Sequence, residues 1–266
     1  GRGVVRPEAL REALSPETRL VLVMLANSET GTLNPVRELA EVAHERGVPL
    51  HTDAAQALGK VPVDVGRLGV DLMSLSAHKC YGPKGVGALY VRRRPHPGVR
   101  RVRPLPLLDG GGQERGLRSG TLNVPGIVGF GRAAALAAEA LPEEARRISS
   151  LREALFEGLR AGVPGLRLNG HPDLRLPNTL NVSFPGVEVG ELLGAVPEVA
   201  ASAGSACASL RAGPSHVLEA MGAEREGWAA VRFSLGRFTT REEVERAAEL
   251  VVRAWRGLAV SGAPNP

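Results

Sequence analysis

Hydrophobic positions along the chain switch repeatedly between a spacing of three to four and short unbroken runs, a pattern that predicts helices alternating with buried strands. Residues 7 to 14 have helical spacing, and Val21 to Leu25 reads as a buried strand closed by the polar turn Asn27-Ser28-Glu29-Thr30-Gly31. Pro35 to Arg46 predicts an amphipathic helix with Leu39, Val42 and Ala43 inward and Gly47 as its stop. Val48 to Thr52 predicts a short strand running into Asp53-Ala54-Ala55-Gln56, and a further short element is expected around Leu68. The strand Asp71 to Leu75 then delivers Ser76, His78 and Lys79 to its end, ahead of a Gly82-Pro83-Lys84-Gly85 turn and a second apolar segment, Ala88 to Val91.

After a Pro/Arg-rich passage comes the glycine-rich stretch Gly110 to Thr121, whose glycines free backbone N–H groups to approach an anion or another chain, or simply make a loop. Helical spacing dominates from Val124 to Leu159, with a break expected at Pro142. Alternation then resumes. Strands are expected at Leu166 to Leu168, Thr179 to Phe184, Val199 to Ser202 and Ala230 to Leu235, with helices at Val189 to Ala195, Ser215 to Met221 and Arg241 to Leu258. Thr240 with Glu243 three residues on is a capping-box signature for the last helix. The Pro-rich tail Ser261 to Pro266 is expected to be disordered.

Strands interleaved with helices imply an α/β fold with a mostly parallel sheet, and the helical connector implies a second, smaller α/β domain. The expected division is 1–125 and 126–266. In such sheets ligands gather beyond the carboxyl ends of the strands. Asn27, Asp53, Gln56, Ser76, His78 and Lys79 all fall at those ends.

Composition narrows the function. The chain has 266 residues, enough for a large core, and is 43% hydrophobic, yet no apolar run approaches membrane-spanning length and no signal-peptide layout is seen, so a soluble cytoplasmic protein without a membrane partner is expected. A net charge of +5 and the arginines between Arg92 and Arg103 raise the question of nucleic acid, but aromatics at 3% offer few stacking platforms, and no nucleic-acid partner is expected. The only cysteines are Cys80 and Cys207, too few for a disulfide framework. Lys60, Lys79 and Lys84 are the only lysines, so a reaction that needs a neutral amine has three candidates.

The candidate chemistry admits two readings around Asp53. As a metal site, His51, Asp53, His78 and Cys80 would be the ligands, but the spacing matches no usual ligand pattern and no metal is expected. In the other, Asp53 pairs with a cationic ring nitrogen, Lys79 holds a carbonyl as a Schiff base, and Ser76 and His78 bind a phosphate, which are the partners pyridoxal phosphate needs. Cys207 lies in a run of small residues, Ala201 to Ser209, suited to an accessible thiolate, although an inert loop thiol has the same composition. Cys80, in an apolar strand-like context, reads as packing. Arg232 is embedded in a predicted strand and is either paired structurally or turned to grip a carboxylate.

Several stretches, taken in order, resemble the pyridoxal phosphate-dependent cysteine desulfurases of the class V aminotransferase group, in the branch serving nitrogenase maturation and iron–sulfur cluster assembly. They are His51-Thr-Asp-Ala-Ala-Gln56, Ser74-Leu-Ser-Ala-His-Lys79 with Gly82 to Val91, Gly110 to Thr121, Gly204-Ser-Ala-Cys207 and Val231-Arg-Phe-Ser-Leu-Gly-Arg237. The resemblance implies a fold-type I architecture in which 1–125 is an N-terminally incomplete large domain and 126–266 is the small domain carrying the cysteine loop. It implies that Lys79 is the Schiff-base lysine, that Asp53 pairs with the pyridinium nitrogen and Gln56 with the phenolic oxygen, and that Ser76 and His78 bind phosphate. Thr121 would reach the phosphate of a neighbouring subunit, implying a homodimer. Asn27 and Arg232 would hold the carboxylate of L-cysteine, Asn27 lying also beside the cofactor, while Cys207 takes the sulfur as a persulfide and alanine leaves. The sulfur would pass to an acceptor such as an iron–sulfur scaffold protein or toward thiolated RNA. Other expectations for the same motifs are a selenocysteine lyase-like enzyme and a non-catalytic, truncated partner subunit. In the family pattern further strands precede this point, with a Gly/Ser-Ala-Thr phosphate loop and a histidine that stacks on the cofactor, and Ser28 stands where a second asparagine is frequent. A sheet without those strands is expected to show apolar edges.

Overall fold

In the computed structural model, residues 1–204, 215–223 and 226–261 are described. The expected tail and Cys207 lie outside the described residues, apart from Ser261 at the end of the last helix. The chain forms two compact units, one built from Val5–Leu25 and Asn34–Leu141, the other from Gly1–Val4, Ala26–Leu33 and Pro142–Pro266. The first unit ends at Leu141 within the long helical connector, and the second unit also takes in two short pieces of the N-terminal region.

The first unit begins with α1 (Pro7–Ala13), β1 (Val21–Met24), α2 (Val36–Glu45) and β2 (Leu50–Asp53). It continues through α3 (Val65–Leu68), β3 (Leu72–Ser76) and β4 (Gly87–Val91). The sheet order is β1-β2-β3-β4, with β1, β2 and β3 parallel and β4 antiparallel to β3. In α2 the residues Val36, Leu39, Ala40, Val42 and Ala43 make one buried stripe, as a helix with a single apolar face requires. Gly47 stops it in the left-handed region at φ 68°, where the N–H groups of Gly47 and Val48 return to the carbonyls of His44 and Ala43. Strand β1 lies at one side of the sheet, and Leu22 on it is 64% exposed.

Helix α4 (Val124–Gly162) runs without interruption through Pro142. The expected break does not occur, because a proline removes one hydrogen bond and crowds one carbonyl, and helical sequence on both sides carries the backbone across. By length and composition α4 is apolar enough to cross a membrane. Within the first unit, however, its Phe130, Ala133 and Ala134 pack against Ala77 and Cys80.

The second unit is an antiparallel sheet of β5 (Arg167–Leu168), β6 (Thr179–Pro185) and β7 (Trp228–Ser234), with α5 (Val189–Gly194), α6 (His216–Ala220) and α7 (Arg241–Ser261). Strand β6 is buried on both faces, and its alternation separates two kinds of burial. Leu180, Val182 and Phe184 join the core formed with Leu155 and Leu159 of α4 and Val244, Ala248 and Val251 of α7. On the other face Asn181 and Ser183 accept from the Asn169 side chain at 2.8 and 2.7 Å, and Asn181 donates to the Glu29 carbonyl at 3.1 Å. The latter bond helps explain why Ala26–Leu33 belongs to this unit. It is joined by Arg175, which donates to the Thr30 and Thr179 carbonyls, and by the His171 N–H, which donates to Thr32 Oγ1. Burial pushes the Arg175 guanidinium down to about 10, with Arg152 adding to the shift against the pull of Glu153.

Two close helix contacts fix α4 against α7: a Cβ on Gly158 would lie 2.9 Å from the Ala248 methyl, and one on Gly162 only 2.4 Å from Val252 Cγ1. The capping box of α7 forms as the sequence predicts, with Thr240 N–H donating to Glu243 at 2.9 Å and Glu243 N–H to Thr240 Oγ1 at 3.2 Å. The expected strand at Val199 to Ser202 is reduced to a single bridge between Ser202 and Arg232. Ser202 pairs beyond the end of a three-stranded sheet, and the preceding residues turn back on one another instead through the Val199-to-Val196 and Ala201-to-Val199 bonds.

Candidate active site

In the first unit the expected residues meet at one edge of the sheet. Asp53 ends β2 and is in register with Ser74 of β3, so Asp53 and Ser76 lie at the same, carboxyl, end of neighbouring parallel strands. Asp53 uses one oxygen to accept the Ala55 N–H at 2.8 Å, which orients the carboxylate at the strand end. Gln56 follows in the same turn and is half-buried. His51, two residues back on the face of Asp53, is bonded through Nε2 to Ser74 Oγ at 2.8 Å. Burial pushes the His51 ring below the ordinary imidazole range, against the opposing pull of Asp53.

Beyond Ser76 the chain makes a single 3-10 turn, Ala77–Cys80, ended by Tyr81 in the left-handed region at φ 66°. Gly82 follows because its N–H returns to the Ala77 carbonyl, which a Cβ there would approach to 2.9 Å. This tight return places Lys79, half-buried, at the sheet edge. Ser76 Oγ and His78 Nδ1 are 3.0 Å apart, making one hydroxyl–imidazole pair open to solvent. Cys80 is buried and its thiol donates to the Ala77 carbonyl, the packing role its context predicts. Of the ligands in the metal reading, then, His51 is engaged by Ser74 and Cys80 by backbone. Among the described residues, the group of His, Cys, Asp and Glu side chains close enough to share an ion is a different one, His44, Asp71 and His96.

Lys60, one of the three candidate amines of the sequence, is a neighbour of the site: its Nζ donates to the Lys79 carbonyl at 2.7 Å, at the end of the lysine turn. Thr121 is exposed, one residue past Gly120, whose N–H is held by the Gln113 side chain at 3.0 Å.

The second unit brings Asn27 and Arg232 together. Asn27 Oδ1 accepts from the N–H groups of Glu29 and Thr30, both at 2.9 Å, and this organises the Asn27–Gly31 turn. Arg232 of β7 donates to the carbonyl of Ser28, adjacent to Asn27, at 2.8 Å, while its buried Nε has no partner among the described residues. A guanidinium with an unused buried donor is suited to a carboxylate. Burial lowers the Arg232 pKa, and the negative charge of Glu29 opposes that shift. Glu29 is a residue missed from the sequence. It is 2% exposed, and its carboxylate accepts the Ser215 hydroxyl at 2.6 Å.

The class V aminotransferase model matches residues 1–247. The chain belongs to the class V aminotransferase family. It is 52% identical over 257 residues to the cysteine desulfurase IscS of Anaeromyxobacter sp. (strain Fw109-5), covering 96% of this chain and 62% of that protein. It is 50% identical over 252 residues to the mitochondrial cysteine desulfurase of Arabidopsis thaliana, covering 94% and 54% respectively. Among solved structures a NifS-like protein superposes with TM-score 0.84 at 39% identity, covering 97% of this chain and 66% of the other. A NifS-like protein from Rickettsia africae ESF-5 superposes with TM-score 0.84 at 29% identity, covering 96% and 68%. The expected fold class is thereby met: an α/β chain with the fold of the NifS-like, fold-type I proteins. The chain spans a little over half the length of the curated relatives it matches.

The donors of the first unit fit pyridoxal phosphate. A carboxylate and an amine lie at the ends of adjacent parallel strands, and a hydroxyl–imidazole pair suited to a phosphate sits one residue from that amine.

Proposed function

We propose that this chain is the greater part of a pyridoxal phosphate-dependent cysteine desulfurase, acting on L-cysteine to give a Cys207 persulfide and L-alanine. The observation that carries the proposal is the arrangement of Asp53, Ser76, His78 and Lys79 at one sheet edge, in a chain about half identical to cysteine desulfurases. Asp53 and Gln56 hold the ring, Ser76 and His78 the phosphate, and Lys79 the carbonyl. Bound there, the cofactor supplies an electron sink that weakens bonds to the substrate carbon. Arg232 and Asn27 bind and orient the carboxylate of L-cysteine, Asn27 through the amide nitrogen left over from its turn. The Cys207 thiolate takes the substrate sulfur, the carbon–sulfur electron pair stays with the substrate, and Lys79 moves the protons that convert it to alanine.

A cytoplasmic homodimer, with exposed Thr121 completing the phosphate site of the other subunit, and a sulfur-accepting scaffold protein complete the proposal. The test is to purify the chain, add pyridoxal phosphate and measure its visible absorption band and cysteine-dependent alanine release. A band that Lys79→Ala abolishes, with alanine release that Cys207→Ala abolishes, supports it. A colourless, inert chain refutes catalysis by this chain alone and favours the partner-subunit role. A band that survives Lys79→Ala refutes the lysine assignment.

A further inference from the structure

The other end of the first unit's sheet carries a second cluster of chemistry that the desulfurase reaction does not use. Asp71 immediately precedes β3, and its Oδ2 accepts the N–H of Leu50, the first residue of β2, at 2.9 Å. The cluster thus sits at the amino ends of strands whose carboxyl ends carry Asp53 and Ser76. The same Asp71 oxygen lies 2.8 Å from Nε2 of His44, in the last turn of α2, and the two side chains are only 4% and 15% exposed. His96, between Pro95 and Pro97 in the connector after β4, lays its ring 4.4 Å from that of His44 at a tilt of 33°.

Two features separate this group from an ordinary buried His–Asp pair. First, Nε2 of His96 is buried with no hydrogen-bond partner among the described residues, although buried polar atoms are nearly always satisfied. Second, its ring lies against that of His44, so a ring nitrogen of His96 comes within 4.8 Å of both ligand atoms of the His44–Asp71 pair. The Arg92 cation is engaged elsewhere, donating to the Val70 and Val65 carbonyls at 3.0 and 2.9 Å.

We infer that His44, Asp71 and His96 form a binding site for a divalent transition metal of the zinc class. The three ligand atoms lie within 4.8 Å of one another. Bonds of 2.0–2.2 Å in a tetrahedral site bring ligand atoms to about 3.3 Å apart, so side-chain rotation of about an ångström closes the group on the ion. Two imidazoles and a carboxylate, with water as the fourth ligand, suit zinc and cobalt rather than magnesium or calcium. The ion replaces the His44–Asp71 hydrogen bond with two coordinate bonds and gives His96 its missing partner. Because the ligands come from a helix, a strand start and the connector, the ion fastens the Arg/Pro-rich connector to the sheet, remote from the lysine turn.

The experiment uses the whole chain with Cys207→Ala, which removes the competing thiolate, after treatment with a chelator. Cobalt(II) is titrated and the visible ligand-field bands recorded, and zinc affinity and thermal midpoint are measured in parallel. One equivalent of cobalt giving tetrahedral bands, zinc raising the midpoint, and at least about a tenfold loss of affinity in His96→Ala are expected. His96 lies in the connector outside the helices and strands of the unit, so that variant is expected to fold; His44→Gln serves as the second. Affinity unchanged in both variants, or the absence of tetrahedral bands and of any zinc-dependent midpoint shift, overturns the site.

Discussion

Glu29 offers a sharp test of how the substrate half of the site is held. Its carboxylate accepts the Ser215 hydroxyl at 2.6 Å in a setting 2% exposed, and a Cβ on Gly204 would come within 3.4 Å of Glu29 Oε2. Gly204 and Ser215 flank the segment that contains Cys207, so one buried carboxylate touches the chain on both sides of it. Replacing Glu29 with Gln keeps the shape and removes the charge. A hydrogen bond to a charged group contributes about 1.5–3 kcal/mol and a neutral one about 0.5–1.5, so Glu29→Gln should cost about 1–2 kcal/mol. Ser215→Ala loses the same bond and also the N-cap of α6, where Ser215 accepts the Leu218 N–H at 3.2 Å, for a total of about 2–4 kcal/mol. Because both changes remove one interaction, the double variant should be less destabilised than the sum by about 1–2 kcal/mol. Urea unfolding followed by tryptophan fluorescence is suitable, since Trp228 and Trp255 both belong to this unit. The second readout is the alkylation rate of Cys207, expected to change in both single variants and by no more in the double. Additivity to within about 0.5 kcal/mol, together with an unchanged Cys207 rate, would falsify the claim that Glu29 ties down the base of this segment.

The remaining predictions concern pH and packing. His51 is held below its ordinary pKa in the folded state, so the unfolded chain binds more protons as pH falls from about 7 to about 5 and the fold loses stability over that range. His51→Gln, which can keep a bond to Ser74, should lose less stability between those two pH values in paired urea titrations; an equal loss would remove His51 as a contributor. Gly162→Ala gains about 1 kcal/mol of helix propensity, yet its methyl would meet Val252 Cγ1 at 2.4 Å, so a net loss in thermal stability is expected. Val252→Ala in the same chain should recover most of it, and a stabilising single variant would contradict the close packing of α4 on α7.

Much of the architecture was legible because it is written in local pattern. The stripe Val36, Leu39, Val42 and Ala43 with Gly47, the Thr240–Glu243 box, and the strand ending in Ser76-Ala77-His78-Lys79 each need only a few neighbouring residues to specify them. Local rules failed where tertiary structure outweighed them. Pro142 does not break α4, and Val199 to Ser202 makes one bridge instead of a strand, because ladder bonds depend on a partner that pattern cannot supply. The placing of Ala26–Leu33 in the second unit has a related cause: it follows a first-unit strand in sequence, but its hydrogen bonds run to Asn181, Arg175 and Arg232.

The same distinction separates the residues of the candidate site. Asp53, Gln56, Ser76, His78 and Lys79 could be chosen from sequence because parallel strands deliver their ends to one edge, so topology does the assembling. Asn27 and Arg232 stand 205 positions apart, and what joins them is the Ser28 carbonyl in one turn and the Arg232 guanidinium in one strand. That contact exists only if β6 and β7 pair in the observed register, with Asn181 opposite Arg232 and its amide holding Glu29. A slip of one residue would turn Arg232 to the apolar face with Val182 and Phe184 and remove both the guanidinium and the turn's anchor. The buried polar face of β6 is therefore what sets the carboxylate-binding half, and the alternation of Thr179, Asn181 and Ser183 within an otherwise apolar strand is its sequence signal.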